Sequence, residues 1–128
     1  MIEERYLLDA SALLALLGRE LGGDVVASVL SAAAISAVNW AEVLQKAHAH
    51  EADMDGFRED LESLGVEVVP FGDQEAVAAA AYWHRGGSHL ALADRACLAT
   101  AAVHGWQALT ADRAWATLDL GVEVRVIR

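Results

Sequence analysis

Short apolar runs alternate along the chain with longer stretches in which apolar residues recur every three or four positions. Short runs bounded by polar residues or glycine are typical of buried strands. They predict strands at residues 6–9, 33–36, 66–69, 107–110 and 121–127. Because helical stretches separate these strands, the pattern indicates an α/β fold with a mainly parallel sheet.

The stretches between the predicted strands have the periodicity and the end signals of helices. Ser36, Asp73 and Ser88 stand where an N-cap residue is expected, and Gly65 stands where a helix should end. With helices on both faces of the sheet, we expect a three-layer α/β/α architecture and a single domain over residues 1–128. The predicted helices lie at residues 11–17, 24–30, 37–51, 53–64, 73–85, 88–103 and 113–118.

The composition is apolar and acidic. Hydrophobic residues make up 55% of the 128 residues, the mean hydropathy is +0.30, and the formal net charge is −10. This charge repels nucleic acid at long range and favours a basic protein partner, so bound metal and local arginines would have to attract any nucleic-acid substrate. The single cysteine, Cys97, excludes an internal disulfide and is typical of a reducing compartment. An acidic beginning and the lack of a long apolar segment predict a cytoplasmic protein without a membrane span.

Four acidic residues occupy positions that a parallel sheet would bring to its carboxyl edge. Asp9 closes the first predicted strand, Glu42 follows the second, Asp94 lies in a long helix, and Asp112 follows the strand at residues 107–110. Active sites of open α/β sheets form at this edge. Each pair of carboxylates about 5 Å apart repels by roughly 3 kcal/mol at an effective dielectric of about 20, and a cation offsets this cost. The four acids therefore predict a divalent metal site, with Mg²⁺ or Mn²⁺ favoured by oxygen ligands, and phosphate chemistry.

Each acid also has a simpler interpretation. Asp9 and Asp112 could serve only as caps of the helices that follow them, and Glu42 could pair with Lys46 one turn away. Asp94 is harder to explain in this way, because its helical neighbours are all apolar and a carboxylate there must be buried or face a cleft. These neighbours are Leu90, Ala91, Cys97 and Leu98.

Polar residues near the acids are candidates for supporting roles. Ser11 and Thr110 each lie two positions from a proposed ligand, where a hydroxyl can orient a carboxylate or a water; for Ser11, helix capping is an alternative. Arg95 and Arg113 directly follow proposed ligands and are candidate phosphate contacts, with ion pairing to the acidic surface as the alternative.

Other signals do not indicate a second kind of site. The five histidines have no recognised metal-ligand spacing, and the apolar surroundings of Cys97 should raise the pKa of its thiol and make it inert. The segment at residues 86–88 lacks the lysine of a phosphate-binding loop, so no nucleotide cofactor is expected. Trp83, Trp106 and Trp115 are expected in the core or at an interface.

Four acidic segments together resemble the motifs of PIN-domain ribonucleases, most closely those of VapC toxins from bacterial toxin–antitoxin pairs. The segments are residues 7–13, 36–43, 92–99 and 109–115, and their order matches that of the family. Trp40 is bulkier than expected within the second segment.

This resemblance implies a sheet with strand order 3-2-1-4-5 and a metal-binding, catalytic tetrad of Asp9, Glu42, Asp94 and Asp112. It further implies metal-dependent RNA cleavage that leaves a 5′-phosphate, formation of a homodimer, and inhibition by a cognate antitoxin.

The leading hypothesis is thus a Mg²⁺- or Mn²⁺-dependent endoribonuclease that acts as a toxin. A phosphotransferase with an aspartyl nucleophile is a weaker alternative, because it usually needs a second acid where this chain has Ser11. A third is a non-catalytic PIN-like binding module that acts by forming a complex with a regulator. The apolar helices at residues 11–17 and 24–30 also predict a groove for an antitoxin segment.

Overall fold

Five short strands form one parallel sheet in the order β3-β2-β1-β4-β5 in the computed structural model, which describes residues 4–86 and 90–128. In the central register, Leu8 of β1 lies opposite Ile35 of β2 and Leu109 of β4. The predicted parallel sheet and its strand order are therefore confirmed. The strands are β1 (Tyr6–Leu8), β2 (Ala33–Ser36), β3 (Glu67–Val69), β4 (Gln107–Thr110) and β5 (Val124–Val126).

Within residues 4–86 and 90–128, seven α-helices and two 3-10 turns connect and cover the strands. The 3-10 turns are Leu30–Ala32, before β2, and Arg113–Thr117, after β4. The helices are α1 (Ala10–Leu17), α2 (Gly23–Val29), α3 (Ala37–Ala49), α4 (Phe57–Ser63), α5 (Asp73–Ala81), α6 (Trp83–Gly86) and α7 (Leu92–His104). Among the described residues, no helix is long and apolar enough to cross a membrane.

Two apolar cores lie on opposite faces of the sheet, because successive side chains of a strand point to opposite sides. Leu8 and its register partners pack against α1, α2, α3 and α4 on one face. Leu7, Ala34 and Ala108 pack against α5, α7 and Trp115 on the other. This arrangement confirms the three-layer α/β/α architecture.

Trp40 belongs to the first of these cores. Its side chain is buried, and its ring stacks on Phe57 with the ring centroids 5.5 Å apart. This contact joins α3 to the start of α4. The bulk of Trp40 within the acidic segment is therefore explained by packing between helices.

Several predicted boundaries are wrong. The strand predicted at residues 121–127 is only Val124–Val126, and the helix predicted from residue 53 begins at Phe57, after Gly56 in a left-handed conformation (φ 75°). The helix predicted over residues 73–85 is divided into α5 and α6 at Tyr82, whose hydroxyl donates to the Leu120 carbonyl oxygen.

The predicted caps have mixed outcomes. Ser36 caps α3 by accepting from the Val38 N–H at 3.2 Å, as expected. Gly72, not Asp73, is the N-cap of α5, and Ser88 lies outside the described residues. Gly65 follows the end of α4 with φ 104°, and a Cβ atom there would lie 2.7 Å from Ser31 Cα, which explains why the turn needs glycine.

Candidate functional site

Asp9 lies at the carboxyl end of the central strand β1 with both carboxylate oxygens bound to donors. Oδ1 accepts from Ser11 Oγ at 2.7 Å and from the Ala12 N–H at 2.8 Å, and Oδ2 accepts from Thr110 Oγ1 at 2.6 Å. Asp9 is thus the N-cap of α1, as its simpler interpretation required. The same bonds also hold the buried carboxylate in one orientation at the edge where PIN-like acids are expected.

Ser11 and Thr110 connect Asp9 to the segment that follows β4. Ser11 Oγ accepts from the Ala111 N–H at 2.9 Å, and Thr110 Oγ1 accepts from the Asp112 N–H at 3.0 Å. Each hydroxyl therefore receives a main-chain hydrogen bond and donates its own proton to Asp9. The pair fixes the position of Asp9 relative to the backbone that carries Asp112.

Asp112 caps the 3-10 turn after β4. Its Oδ1 accepts from the Ala114 N–H at 3.0 Å, and its side chain is exposed. The capping interpretation is therefore geometrically correct for Asp112 as well as for Asp9. It does not compete with a shared site, because each carboxylate keeps lone pairs for a further ligand.

Glu42 is exposed on α3 and is held by an amide that the sequence did not single out as a site residue. Its Oε1 accepts from Asn39 Nδ2 at 3.0 Å, and Asn39 itself is buried. Among the described residues Glu42 forms no ion pair with Lys46, so the alternative predicted for Glu42 is wrong. The spacing of three residues between Asn39 and Glu42 was the available signal, because it places both side chains on one helix face.

Asp94 lies in the first turn of α7 and is half-buried. Its Oδ2 accepts from the Ala91 N–H at 3.0 Å. The helix predicted from residue 88 begins at Leu92, so of the four predicted apolar neighbours only Cys97 and Leu98 share the helix with Asp94. In the first turn, the unpaired N–H groups and the helix dipole favour a carboxylate. The predicted cleft-facing environment remains consistent with its partial burial.

Asp94 lies within electrostatic reach of each of the other three acids. Burial raises the pKa of Asp9 from 3.8 to about 6 against the effect of its hydrogen bonds, and the charge of Asp94 adds to the increase. Burial also raises the pKa of Asp94, and the charges of Asp112 and Glu42 raise it further. Complete burial, followed by the charges of Asp9, Asp94 and Glu42, raises the pKa of the Cys97 thiol well above 9. Cys97 therefore remains protonated beneath the acids.

The acids form an open cluster. Within residues 4–86 and 90–128, no three His, Cys, Asp or Glu side chains converge closely enough to enclose a metal ion. The donor chemistry nevertheless fits a hard divalent cation, because the cluster offers carboxylate oxygens whose mutual repulsion and burial disfavour the ionised forms. A bound cation would relieve that repulsion.

The two arginines next to the acids have different surroundings. Arg95 is half-buried with its guanidinium carbon 5.3 Å from the centre of the Trp83 ring, and its Nε has no hydrogen-bond partner among the described residues. Arg113 is exposed and donates from Nε to the Arg128 main-chain oxygen at 3.0 Å. Trp83 is half exposed, which places an aromatic ring and a cation together near the start of α7.

Trp115 and Trp106 have packing roles. Trp115 is buried in the second core, as predicted. Trp106 is half-buried and stacks on His104 with the ring centroids 4.2 Å apart.

The buried carboxylate of Asp9 predicts how metal-free stability depends on pH. The folded protein keeps the Asp9 proton up to about pH 6, whereas an unfolded chain releases it near 3.8, so the free energy of unfolding should fall as pH rises through this interval. The increase in the pKa of Asp9 corresponds to a loss of about 3 kcal/mol in the free energy of unfolding. Urea unfolding in EDTA from pH 4 to 7 should show this loss in the wild type relative to Asp9→Asn. If the free energy of unfolding changed with pH in the same way in both proteins, the raised pKa of Asp9 would be contradicted.

Comparisons with known proteins agree with this architecture. No curated protein matches the sequence. The chain is similar to the DNA-bound VapBC from Salmonella typhimurium, with a TM-score of 0.72, 16% identity, and coverage of 96% of this chain and 98% of that one. It is also similar to a toxin-antitoxin complex from Klebsiella pneumoniae (TM-score 0.69, 22% identity, 84% and 86% coverage). FitAcB from Neisseria gonorrhoeae gives a TM-score of 0.65 at 24% identity, with 93% and 95% coverage.

At these identities the solved structures establish the fold alone. The family assignment comes from the sequence, in which the PIN domain family model matches residues 6–120. This match includes every strand up to β4 and all four acids at the carboxyl edge. The chain therefore belongs to the PIN domain family.

Proposed function

We propose that this protein is a Mg²⁺- or Mn²⁺-dependent endoribonuclease that hydrolyses RNA to 5′-phosphate and 3′-hydroxyl ends. The observation that carries the proposal is the cluster of mutually repelling carboxylates, in which Asp9 is held by three donors and Asp94 is affected by the charges of Asp112 and Glu42. Such a cluster is unfavourable in the protein alone and becomes favourable with a cation. A bound divalent ion would supply charge neutralisation at the phosphate and activation of a water.

The residues of the site would divide the work according to their surroundings. Asp9 is the rigid ligand, because its hydrogen bonds leave its carboxylate one orientation. Asp94 and Asp112 would complete the binding of the cation from the start of α7 and from the end of β4. Glu42 would act from the exposed rim, where it can hold the cation or orient a water.

Arg95 and Arg113 are the proposed contacts to RNA phosphates. The net charge of −10 repels RNA, so local cations next to the acids are needed to bring a phosphodiester to the site. Arg95 supports this role best, because the half-exposed Trp83 ring lies beside its guanidinium group. A stacked base and a bound phosphate would use these two groups together.

We further propose that the nuclease is the toxin of a type II toxin–antitoxin pair in the cytoplasm, and that it forms a homodimer or a complex with its antitoxin. A groove of about 410 Å³ between α1, α3 and the segment before α4, rather than one between α1 and α2 as predicted, would accept an apolar antitoxin segment. Lys46 lines this groove and also a second depression that contains Glu42, so the two adjoin. A basic antitoxin residue there would reach the acids. The apolar residues that line the groove are Leu14, Leu17, Val43, Ala47, Ala52, Met54 and Phe57.

The proposal is tested by incubating purified protein with RNA and Mg²⁺, Mn²⁺ or EDTA. Cleavage should require the divalent ion, and the complex with the antitoxin should not cleave. Tight antitoxin binding without any metal-dependent cleavage by the free protein would instead identify a non-catalytic binding module. Equal cleavage in EDTA would contradict a metal-dependent nuclease.

A further inference from the structure

Asn39 is a buried amide between two of the proposed metal ligands. Its side chain is 1% exposed on the inner side of α3. Nδ2 donates to Glu42 Oε1 at 3.0 Å on the same helix and to the Ala93 carbonyl oxygen at 3.1 Å, which belongs to α7. Because Ala93 directly precedes Asp94, one NH₂ group joins the Glu42 carboxylate to the backbone that carries Asp94.

The orientation of this amide follows from its partners. Both neighbours of Nδ2 are acceptors only, so the NH₂ group must face them and Oδ1 must face the other way. Oδ1 is buried and has no hydrogen-bond partner among the residues that the structure describes. A buried, unpaired amide oxygen is unfavourable, and an apolar side chain of the same volume would avoid it. Packing alone therefore does not explain an asparagine at this position.

Glu42 needs such a partner to stay near the acids. It lies on the exposed rim, it repels Asp94, and Lys46 one turn along α3 would attract it away from the cluster. Glu42 accepts a hydrogen bond from Asn39, and the ion pairs among the described residues do not include one between Glu42 and Lys46. The hydrogen bond from Asn39 thus offsets both the repulsion from Asp94 and the attraction to Lys46.

We infer that Asn39 is a positioning residue that holds Glu42 within the acidic cluster and fixes its distance from the start of α7. This inference rests on the proposed function, because the benefit of holding Glu42 there arises when a cation binds. Asn39 contacts no substrate and acts only through Glu42.

The test compares Mn²⁺ binding, measured by calorimetry, in the wild type and in variants of similar volume. Asn39→Leu removes both donors and keeps the packing, and we expect its Mn²⁺ affinity to fall about tenfold to a hundredfold. Thr100→Val is the matched control, since it removes a buried hydrogen bond to the Ala96 carbonyl of α7 and should leave Mn²⁺ affinity unchanged.

A double-mutant cycle separates positioning from general structural damage. If Asn39 acts through Glu42, Asn39→Leu should have little further effect on Mn²⁺ affinity when Glu42→Gln is already present. In RNA cleavage, Asn39→Leu should raise the metal concentration needed for half-maximal rate and recover most of kcat at saturating metal. Thermal unfolding in EDTA establishes that each variant is folded.

Wild-type Mn²⁺ affinity in folded Asn39→Leu, or additive losses in the cycle, would overturn the inference and leave the proposed function intact. A wild-type protein that binds no Mn²⁺ would instead overturn the proposed function itself.

Discussion

Replacing Asp9 by asparagine should lower the rate of RNA cleavage at least about a thousandfold, a loss of roughly 4 kcal/mol of transition-state stabilisation. Asparagine keeps the volume of Asp9 but removes its charge and places an NH₂ group against one of the three donors that now bind the carboxylate. The cation would lose its most rigid ligand. Asp94→Asn should have an effect of similar size, because the charge of Asp94 interacts with the charges of Asp9, Asp112 and Glu42.

Single-turnover cleavage at saturating metal measures this loss directly. Glu42→Gln should be less damaging under these conditions, since Glu42 lies on the exposed rim and excess metal compensates for weaker binding. Asp60→Asn is the matched control, because Asp60 is exposed on α4, the helix that leads into the amino end of β3. Retention of more than a tenth of wild-type activity by folded Asp9→Asn would remove Asp9 from the catalytic site.

Millimolar Mg²⁺ or Mn²⁺ should raise the melting temperature by roughly 10 °C when the ion is present at about a hundred times its Kd. The stabilisation arises because the folded state gathers the four carboxylates and the unfolded chain does not. Asp94→Asn should shrink this shift, and its metal-free form should be at least as stable as the wild type, because the substitution removes a charge that repels Asp112 and Glu42.

Scanning calorimetry of the wild type, Asp94→Asn and Asp60→Asn, each with metal and with EDTA, provides the measurement. The control variant Asp60→Asn should show the same increase in melting temperature with metal as the wild type. An undiminished metal response in Asp94→Asn would mean that the cation binds elsewhere.

The alternation of apolar runs predicted the layers of the fold, but the strand order came only from the resemblance of the acidic segments to a known family. Periodicity records which face of an element is buried and carries no information about which strands are neighbours. Boundaries failed where tertiary contacts decide them. The division between α5 and α6 falls at Tyr82, whose hydroxyl bonds to Leu120, and no local signal announces that contact.

The candidate site, too, could be predicted only in part from the sequence. Asp9, Glu42, Asp94 and Asp112 could be proposed from sequence because acids at strand ends are conspicuous in an apolar chain. The role of Asn39 could not, because one of its two acceptors is the Ala93 carbonyl, 54 residues away. Helix capping and membership of the acidic cluster also looked like alternatives for Asp9. In the folded chain Asp9 caps α1 and also lies within reach of the charge of Asp94.

The ends of the cleaved RNA test the proposed reaction most directly. An activated water that attacks phosphorus in line, with the 3′-oxygen leaving, makes no use of the RNA 2′-hydroxyl as nucleophile. End-group analysis of RNA cut by the purified protein with Mg²⁺ or Mn²⁺ should therefore find 5′-phosphate and 3′-hydroxyl ends. A 2′-deoxy sugar at the scissile position should not abolish cleavage. A 2′,3′-cyclic phosphate with a 5′-hydroxyl would show that the 2′-oxygen is the nucleophile, and would contradict hydrolysis at an acidic metal site.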